Sequence, residues 1–358
     1  MIFLHNRNAS RDEYTARERQ IISIDSAKRA LNELGSWPGY QVSPLRELPD
    51  AARRLGTRSI RCKDETHRLG LDSFKALGGA YAAGLALQRR SPTAEISTLC
   101  CATDGNHGRS VAYGAQRYGC RCVIVVHEHA LESKVAAMQK LGAEVIRVEG
   151  NYDDSVDYAK RMAAEKNWLL ISDTSDSPSD QGAAEVMQGY GAMCLELIEQ
   201  FDGSLPTHVF VQAGVGGMAA AIAGCFAEFS AALRPQITVV EPESAACVMQ
   251  SAMNSGPCRI AGDLITNMAM LSCGETSAPA WVILDRRADA FMTVSDSAAD
   301  DAVAWLRGTP DIPGGLLTTP SGAAGLAGLM AVAQDPQIRS HIGLTEDSRV
   351  LLFVTENV

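Results

Sequence analysis

No stretch of this chain stays apolar for the roughly 18–20 residues that a membrane-spanning helix requires, and the amino terminus, MIFLHNRNASRDEY, turns polar after four apolar residues, too soon for a signal peptide. A basic excess is also missing. Lys and Arg number 32 against 42 Asp and Glu, for a net charge of −10, so neither nucleic acid nor an anionic membrane surface would attract the protein electrostatically. Paired C-x-x-C sets are absent: Cys62, Cys100, Cys101, Cys120, Cys122, Cys194, Cys225, Cys247, Cys258 and Cys273 are scattered, which gives neither a disulfide framework nor a metal site. Several lie in apolar runs such as STLCCAT and AIAGCFAEF, where cysteine acts as a small buried hydrophobe in a reducing cytosol. No repeat of fixed 20–50-residue period occurs, which excludes a solenoid or propeller.

What is present is a soluble, globular composition, 46% hydrophobic and 21% charged, over 358 residues. That length suits two domains better than one core. Short apolar runs read as strands: RSIRCKDE, ISTLCCAT, RCVIVVHE, AEVIRVEG, WLLISDT, THVFVQAG, QITVVEPE, AFMTVSD and RVLLFVTE. Between them, segments such as FKALGGAYAAGLALQRR, NHGRSVAYGAQRYG and AAEVMQGYGAMCLELIEQF carry helical period. The alternation predicts an α/β protein with largely parallel sheets, and strands apolar throughout predict helices on both faces. The expected division is a small, substrate-facing domain over 75–185 and a large, cofactor-binding one formed by 1–74 plus 186–358. Asp173–Gly182, rich in Ser, Asp and Pro, is a long loop.

Ligands of such sheets bind outside the carboxyl ends of strands, and three unusual stretches fall there. In THVFVQAGVGGMAAAIAG, a strand meets a helix through Gly214, Val215, Gly216, Gly217 and Met218. The glycines let backbone approach an anion, and the first N–H groups of the helix point at it. No Walker-type Lys follows, which argues against a nucleoside triphosphate. The same residues satisfy a dinucleotide fingerprint, with Ala219 at its last position and Glu241 ending the next strand, so an NAD-dependent dehydrogenase is a competing reading. In LCCATDGNHGRSVA, Thr103, Asp104, Gly105, Asn106 and His107 crowd one strand-to-helix loop. They suit either recognition of a substrate carboxylate or an elaborate helix cap at Asp104 or Asn106. In DSFKALGGAYA, Lys75 stands among small apolar neighbours at a helix start, where a lowered pKa is expected. A neutral amine forms Schiff bases, and beside a phosphate cradle this points to pyridoxal 5′-phosphate.

Ser73-Phe74-Lys75 with its glycine pair, the asparagine loop and the glycine loop, in this order, resemble the fold type II (β-family) pyridoxal phosphate enzymes over most of the chain. SPLREL and CKDET add to the match. RLGLDSFKALGG, TDGNHGR, SDT and MQGYGAM together are similar to the diaminopropionate ammonia-lyases, with Asp104 the residue that ordinary threonine and serine dehydratases lack. The resemblance implies two three-layer α/β/α domains and a homodimer. It implies that Lys75, flanked by Phe74, holds the cofactor as a Schiff base. Gly214 to Met218 would bind its phosphate, Asn106 its ring oxygen, and Thr355 would face the pyridine nitrogen. Thr103, Gly105 and His107 would meet the substrate, and Asp104 and Asp173 would be the active-site acids. The implied reaction is β-elimination from a small amino acid, 2,3-diaminopropionate in D or L form, to pyruvate and ammonia. A serine/threonine or hydroxyaspartate dehydratase is the alternative. One departure is the ending TEN at Val358, where the ammonia-lyases read Thr-Glu-Gly and continue; a covering helix and loop are expected to be missing on this side.

Overall fold

The structure is a computed structural model that describes residues 1–90, 97–103, 105–150, 152–201 and 203–358. Among these residues two sheets form. The smaller has order β6-β5-β4-β7, with β4 (Thr98–Ala102), β5 (Arg121–His127), β6 (Glu144–Val148) and β7 (Leu169–Leu170) all parallel. The larger has order β1-β10-β9-β8-β11-β3-β2. Its centre is parallel: β10 (Ala290–Val294), β9 (Gln236–Pro242), β8 (His208–Gln212), β11 (Arg349–Val354) and β3 (Ser59–Asp64). The antiparallel edges β1 (Phe3–His5) and β2 (Leu45–Glu47) are three residues each, too short to announce themselves by alternation.

Helices cover both sheets. α1 (Ala16–Ile21), α2 (Ile24–Gly35) and α3 (Pro49–Leu55) precede the small sheet. Around that sheet run α4 (Lys75–Gln88), α5 (Asn106–Tyr118), α6 (Glu132–Lys140) and α7 (Tyr152–Glu165). Then come α8 (Gln181–Gln200), α9 (Gly217–Phe229), α10 (Cys247–Met253), α11 (Ala278–Arg287), α12 (Asp296–Gly308), α13 (Pro320–Gln334) and α14 (Pro336–His341). β8 and β4 are buried from end to end or nearly so, as expected of strands covered on both faces.

The chain runs outward from β8 through β9 to β10, then returns by α12 and α13 to lay β11 on the other side of β8. β8 and β11 therefore flank the point where the strand order reverses, where α/β sheets open a ligand crevice. The turn after β8 is the glycine loop, and the residues after β11 are Thr355 and Glu356. One expected strand is shorter than its sequence suggests. WLLISDT contributes only Leu169–Leu170, because the chain leaves the sheet after Ile171, with Ser172 Oγ donating to the Thr174 carbonyl at 2.8 Å. That departure carries Asp173 to the site.

Candidate active site

α4 begins at Lys75. Phe74 stands at its N-cap with its N–H on the Thr355 carbonyl at 3.0 Å, so the end of β11 holds the residue before the lysine. Ser73 Oγ accepts from the Lys75 N–H at 3.3 Å. The side chain of Lys75 is part-buried and its Nζ donates to Asp173 Oδ2. Burial pulls the ammonium pKa down, but the Asp173 carboxylate, with smaller help from Tyr190 and Cys273, more than reverses this and raises it. The depressed lysine expected from apolar neighbours is thus corrected: the sequence neighbourhood hid an acid supplied from 98 residues away. Asp173 responds in kind. Burial would raise its carboxyl, yet Lys75, with help from His107 and a backbone N–H, outweighs burial and holds it well below the usual range.

Tyr190 of α8 completes this corner. Its ring lies 4.9 Å from that of Phe74, tilted by 57°. A Cβ on Gly78 would stand 2.4 Å from Tyr190 Cε1, so α4 needs a glycine for the tyrosine to reach the lysine. Tyr190 was visible in the sequence only as part of a motif, because an aromatic on an apolar helix reads as ordinary core.

The asparagine loop lies opposite. Thr103 is buried and its Oγ1 accepts from the Gly105 N–H at 3.1 Å. Gly105, not Asn106, is the N-cap of α5, and among the described residues no side chain caps that end. The Asn106 carboxamide reaches Glu356 instead, its Nδ2 donating to Oε2. His107 is turned inward: its Nε2 meets the Ile171 carbonyl at 3.0 Å, and its Nδ1 lies 3.9 Å from Asp173 Oδ2 without a hydrogen bond. Asp104 lies outside the described residues.

The glycine loop forms the third side. Gly216 is the N-cap of α9 with φ 95°, a left-handed conformation that favours glycine, and no side chain caps the helix. Its free N–H groups suit an anion. The loop is anchored by the Val215 carbonyl, which accepts from Ser277 N–H at 3.0 Å, and by Cys273 beside Gly214, whose added Cβ would stand 2.9 Å from the sulfur. Burial pushes the Cys273 thiol up to about 11, so it is neutral there. Met218 is buried. At the end of β11, Thr355 is buried and its Oγ1 accepts from Gln212 Nε2 at 3.4 Å, which leaves its own hydrogen free for another acceptor.

The model of the family described as pyridoxal-phosphate dependent enzymes matches residues 37–356. The chain belongs to this family. It is 35% identical to the diaminopropionate ammonia-lyase of Escherichia coli strain K12 over 355 residues, covering 94% of this chain and 89% of the relative. The crystal structure of the E. coli enzyme in complex with the aminoacrylate-PLP azomethine reaction intermediate superposes with a TM-score of 0.89 at 33% identity, over 99% of this chain and 93% of that one. A biosynthetic L-threonine dehydratase of Pasteurella multocida is 33% identical over 221 residues, 61% of this chain and 39% of its own length. The fold is the fold type II architecture anticipated above, and the cofactor is pyridoxal 5′-phosphate.

The residues present fit that group. Its aldehyde needs an amine, its phosphate a cradle of N–H donors, and its ring nitrogen a polar partner. Lys75 Nζ, the uncapped start of α9 and the Thr355 hydroxyl offer these three. The NAD reading fails on Glu241. Its carboxylate is fully buried, accepts the Val248 and Met249 N–H groups at 2.8 and 2.7 Å, and is pushed up by burial to about 8, so no ribose reaches it.

Proposed function

We propose that this chain catalyses the α,β-elimination of 2,3-diaminopropionate, as the D isomer, the L isomer or both, to pyruvate and two ammonia. The observation that carries the reading is the Lys75–Asp173 ion pair, together with the uncapped start of α9, in a pyridoxal-phosphate family chain. The likeness over nearly the whole chain to ammonia-lyases, against 61% for the dehydratase, supports this substrate over a hydroxy amino acid.

Pyridoxal phosphate, when bound, supplies an electron sink for the pair left at the substrate's Cα. The chain's residues do the rest. Lys75 Nζ is the attachment point. Gly214, Val215, Gly216, Gly217 and Met218 take the phosphate, Asn106 the ring oxygen and Thr355 the ring nitrogen. Thr103, Gly105 and His107 orient the substrate carboxylate. Lys75 Nζ takes the Cα proton of one isomer, and the resemblance assigns Asp104 as the base for the other. An amine leaves only when protonated, and where Lys75 has taken the Cα proton, that same proton is the one at hand for the leaving amine, with Asp173 hydrogen-bonded to the lysine. The eliminated product then hydrolyses in water to pyruvate and the second ammonia. Residues 75–185 act as the substrate-facing unit and 1–74 with 186–358 as the cofactor-binding one, in a homodimer in the cytoplasm; ten free cysteines suit that compartment.

The test is product stoichiometry. Two ammonia per pyruvate from diaminopropionate are expected, against one per keto acid from serine or threonine. Asp104→Asn should lower the rate on the D isomer by about 10²–10⁴-fold and that on the L isomer far less. Activity confined to hydroxy amino acids would favour the dehydratase reading, and equal losses on the two isomers would remove Asp104 as a face-specific base.

A further inference from the structure

Glu356 is buried directly after β11, yet no part of the reaction above uses it. Its backbone forms an antiparallel bridge to Ser73, two residues before Lys75, and its carbonyl accepts from Thr318 Oγ1 at 2.6 Å. Its carboxylate takes hydrogen bonds from Asn106 Nδ2 and from Thr319 Oγ1, the N-cap hydroxyl of α13. One side chain thus joins the starts of α5 and α13 to the end of β11. Burial raises the Glu356 carboxyl above the ordinary glutamate value, and the Thr319 and Asn106 hydrogen bonds, with positive charge from Lys134 of α6 and from Lys75, offset part of that rise and favour the ionised form.

We propose that Glu356 is a positioning residue that fixes which edge of the Asn106 carboxamide faces the cofactor. The physical reason is the donor inventory. An ionised carboxylate only accepts, so it attracts the Asn106 NH₂ and repels its oxygen. The amide is held in one of its two orientations, with Oδ1 and the second Nδ2 hydrogen presented away from Glu356. A neutral amide in place of Glu356 can donate or accept, and imposes no such choice.

This inference rests on the cofactor reading, and one experiment separates the two. Wild type, Glu356→Gln, Glu356→Ala, Asn106→Ala and the two double variants are loaded with pyridoxal phosphate, and the visible absorbance is titrated with pH alongside thermal melts. Glu356→Gln keeps the shape and can still bond both partners once the bond at its NH₂ runs in the opposite direction, so a mere staple would be rescued by it in the melt and the spectrum alike. We expect Glu356→Gln to melt near wild type but to shift the absorbance titration, and to lower kcat by roughly tenfold with less effect on KM. In the Asn106→Ala background, adding either Glu356 change should shift the titration no further, because residues acting through one another are non-additive. An unshifted Glu356→Gln titration, or an equal shift with and without Asn106, overturns the proposal. Wild type that shows no cofactor absorbance at all would instead overturn the functional reading beneath it.

Discussion

Lys75 and Asp173 set each other's charge, and their pKa shifts have opposite signs. The Lys75 value is raised, so its share of the pairing free energy is present below the ordinary lysine range and is lost as pH rises through the raised value. The Asp173 value is lowered, so its share is present above the ordinary carboxylate range and is lost as pH falls through the lowered value. Only a neutral lysine attacks an aldehyde. Reconstitution of the cofactor-free protein should therefore speed up with pH, with a midpoint above that of a free lysine. Asp173→Asn removes the main counterweight to burial, and the midpoint should move to lower pH. Stopped-flow mixing with pyridoxal phosphate across pH reads this directly; an unmoved midpoint would mean that Asp173 does not govern the lysine proton.

The turn from β8 into α9 works as a unit of backbone rather than of side chains. Gly216 carries the left-handed conformation, and a Cβ there would stand 3.1 Å from Leu284 Cδ1 and 3.4 Å from the Ala280 Cβ of α11. No serine, threonine or acid caps the helix, although capping is worth about 0.5–2 kcal/mol. A long buried helix that forgoes a cap leaves donors for something else. Gly216→Asp would supply an internal carboxylate to those donors and strain the turn. Cofactor affinity should fall at least tenfold, an energy of about 1.4 kcal/mol or more, measured by fluorescence titration with pyridoxal phosphate. Unchanged affinity would put the phosphate elsewhere.

Across the whole molecule, a buried ionic cluster ties the amino-terminal segment to the long helix α8. Lys63 Nζ meets Glu196 Oε2 at 2.7 Å, and Arg68 bridges Glu65 and Glu196 at 2.7 and 2.8 Å, with all four side chains essentially inaccessible. Ser43 and Tyr40 also bond these carboxylates. Burial would raise the Glu196 carboxyl, but Arg68 and Lys63 bring it down to about 2. Its stabilising share is thus complete above the ordinary glutamate range and lost as pH falls from there toward about 2. Glu196→Gln leaves two buried cations short of a partner, and breaking such a pair costs about 3–5 kcal/mol. Urea melts at neutral pH should show that loss, and melts in acid should show a smaller difference from wild type. A gap that does not narrow in acid would mean that Glu196 is not the group being titrated.

The sequence by itself determined the α/β class, the parallel sheets and the three loops, because each rests on local chemistry. Strand periodicity, glycines where backbone meets an anion, and a lysine in small apolar company are all legible within a dozen residues. Of the two readings open for the asparagine loop, a cap at Asn106 is not what forms: its amide goes to Glu356, 250 residues away. Lys75 was read as a depressed amine for the same reason, since Asp173 enters only when β7 breaks off early and its loop folds back. Glu241 matched a fingerprint in spacing and failed it in burial. Tertiary structure alone decided which charges meet and which side chains face the crevice. Those outcomes depend on long-range packing of β11, α5 and α8, and electrostatic energy depends on distance in space, for which separation along the chain is no guide.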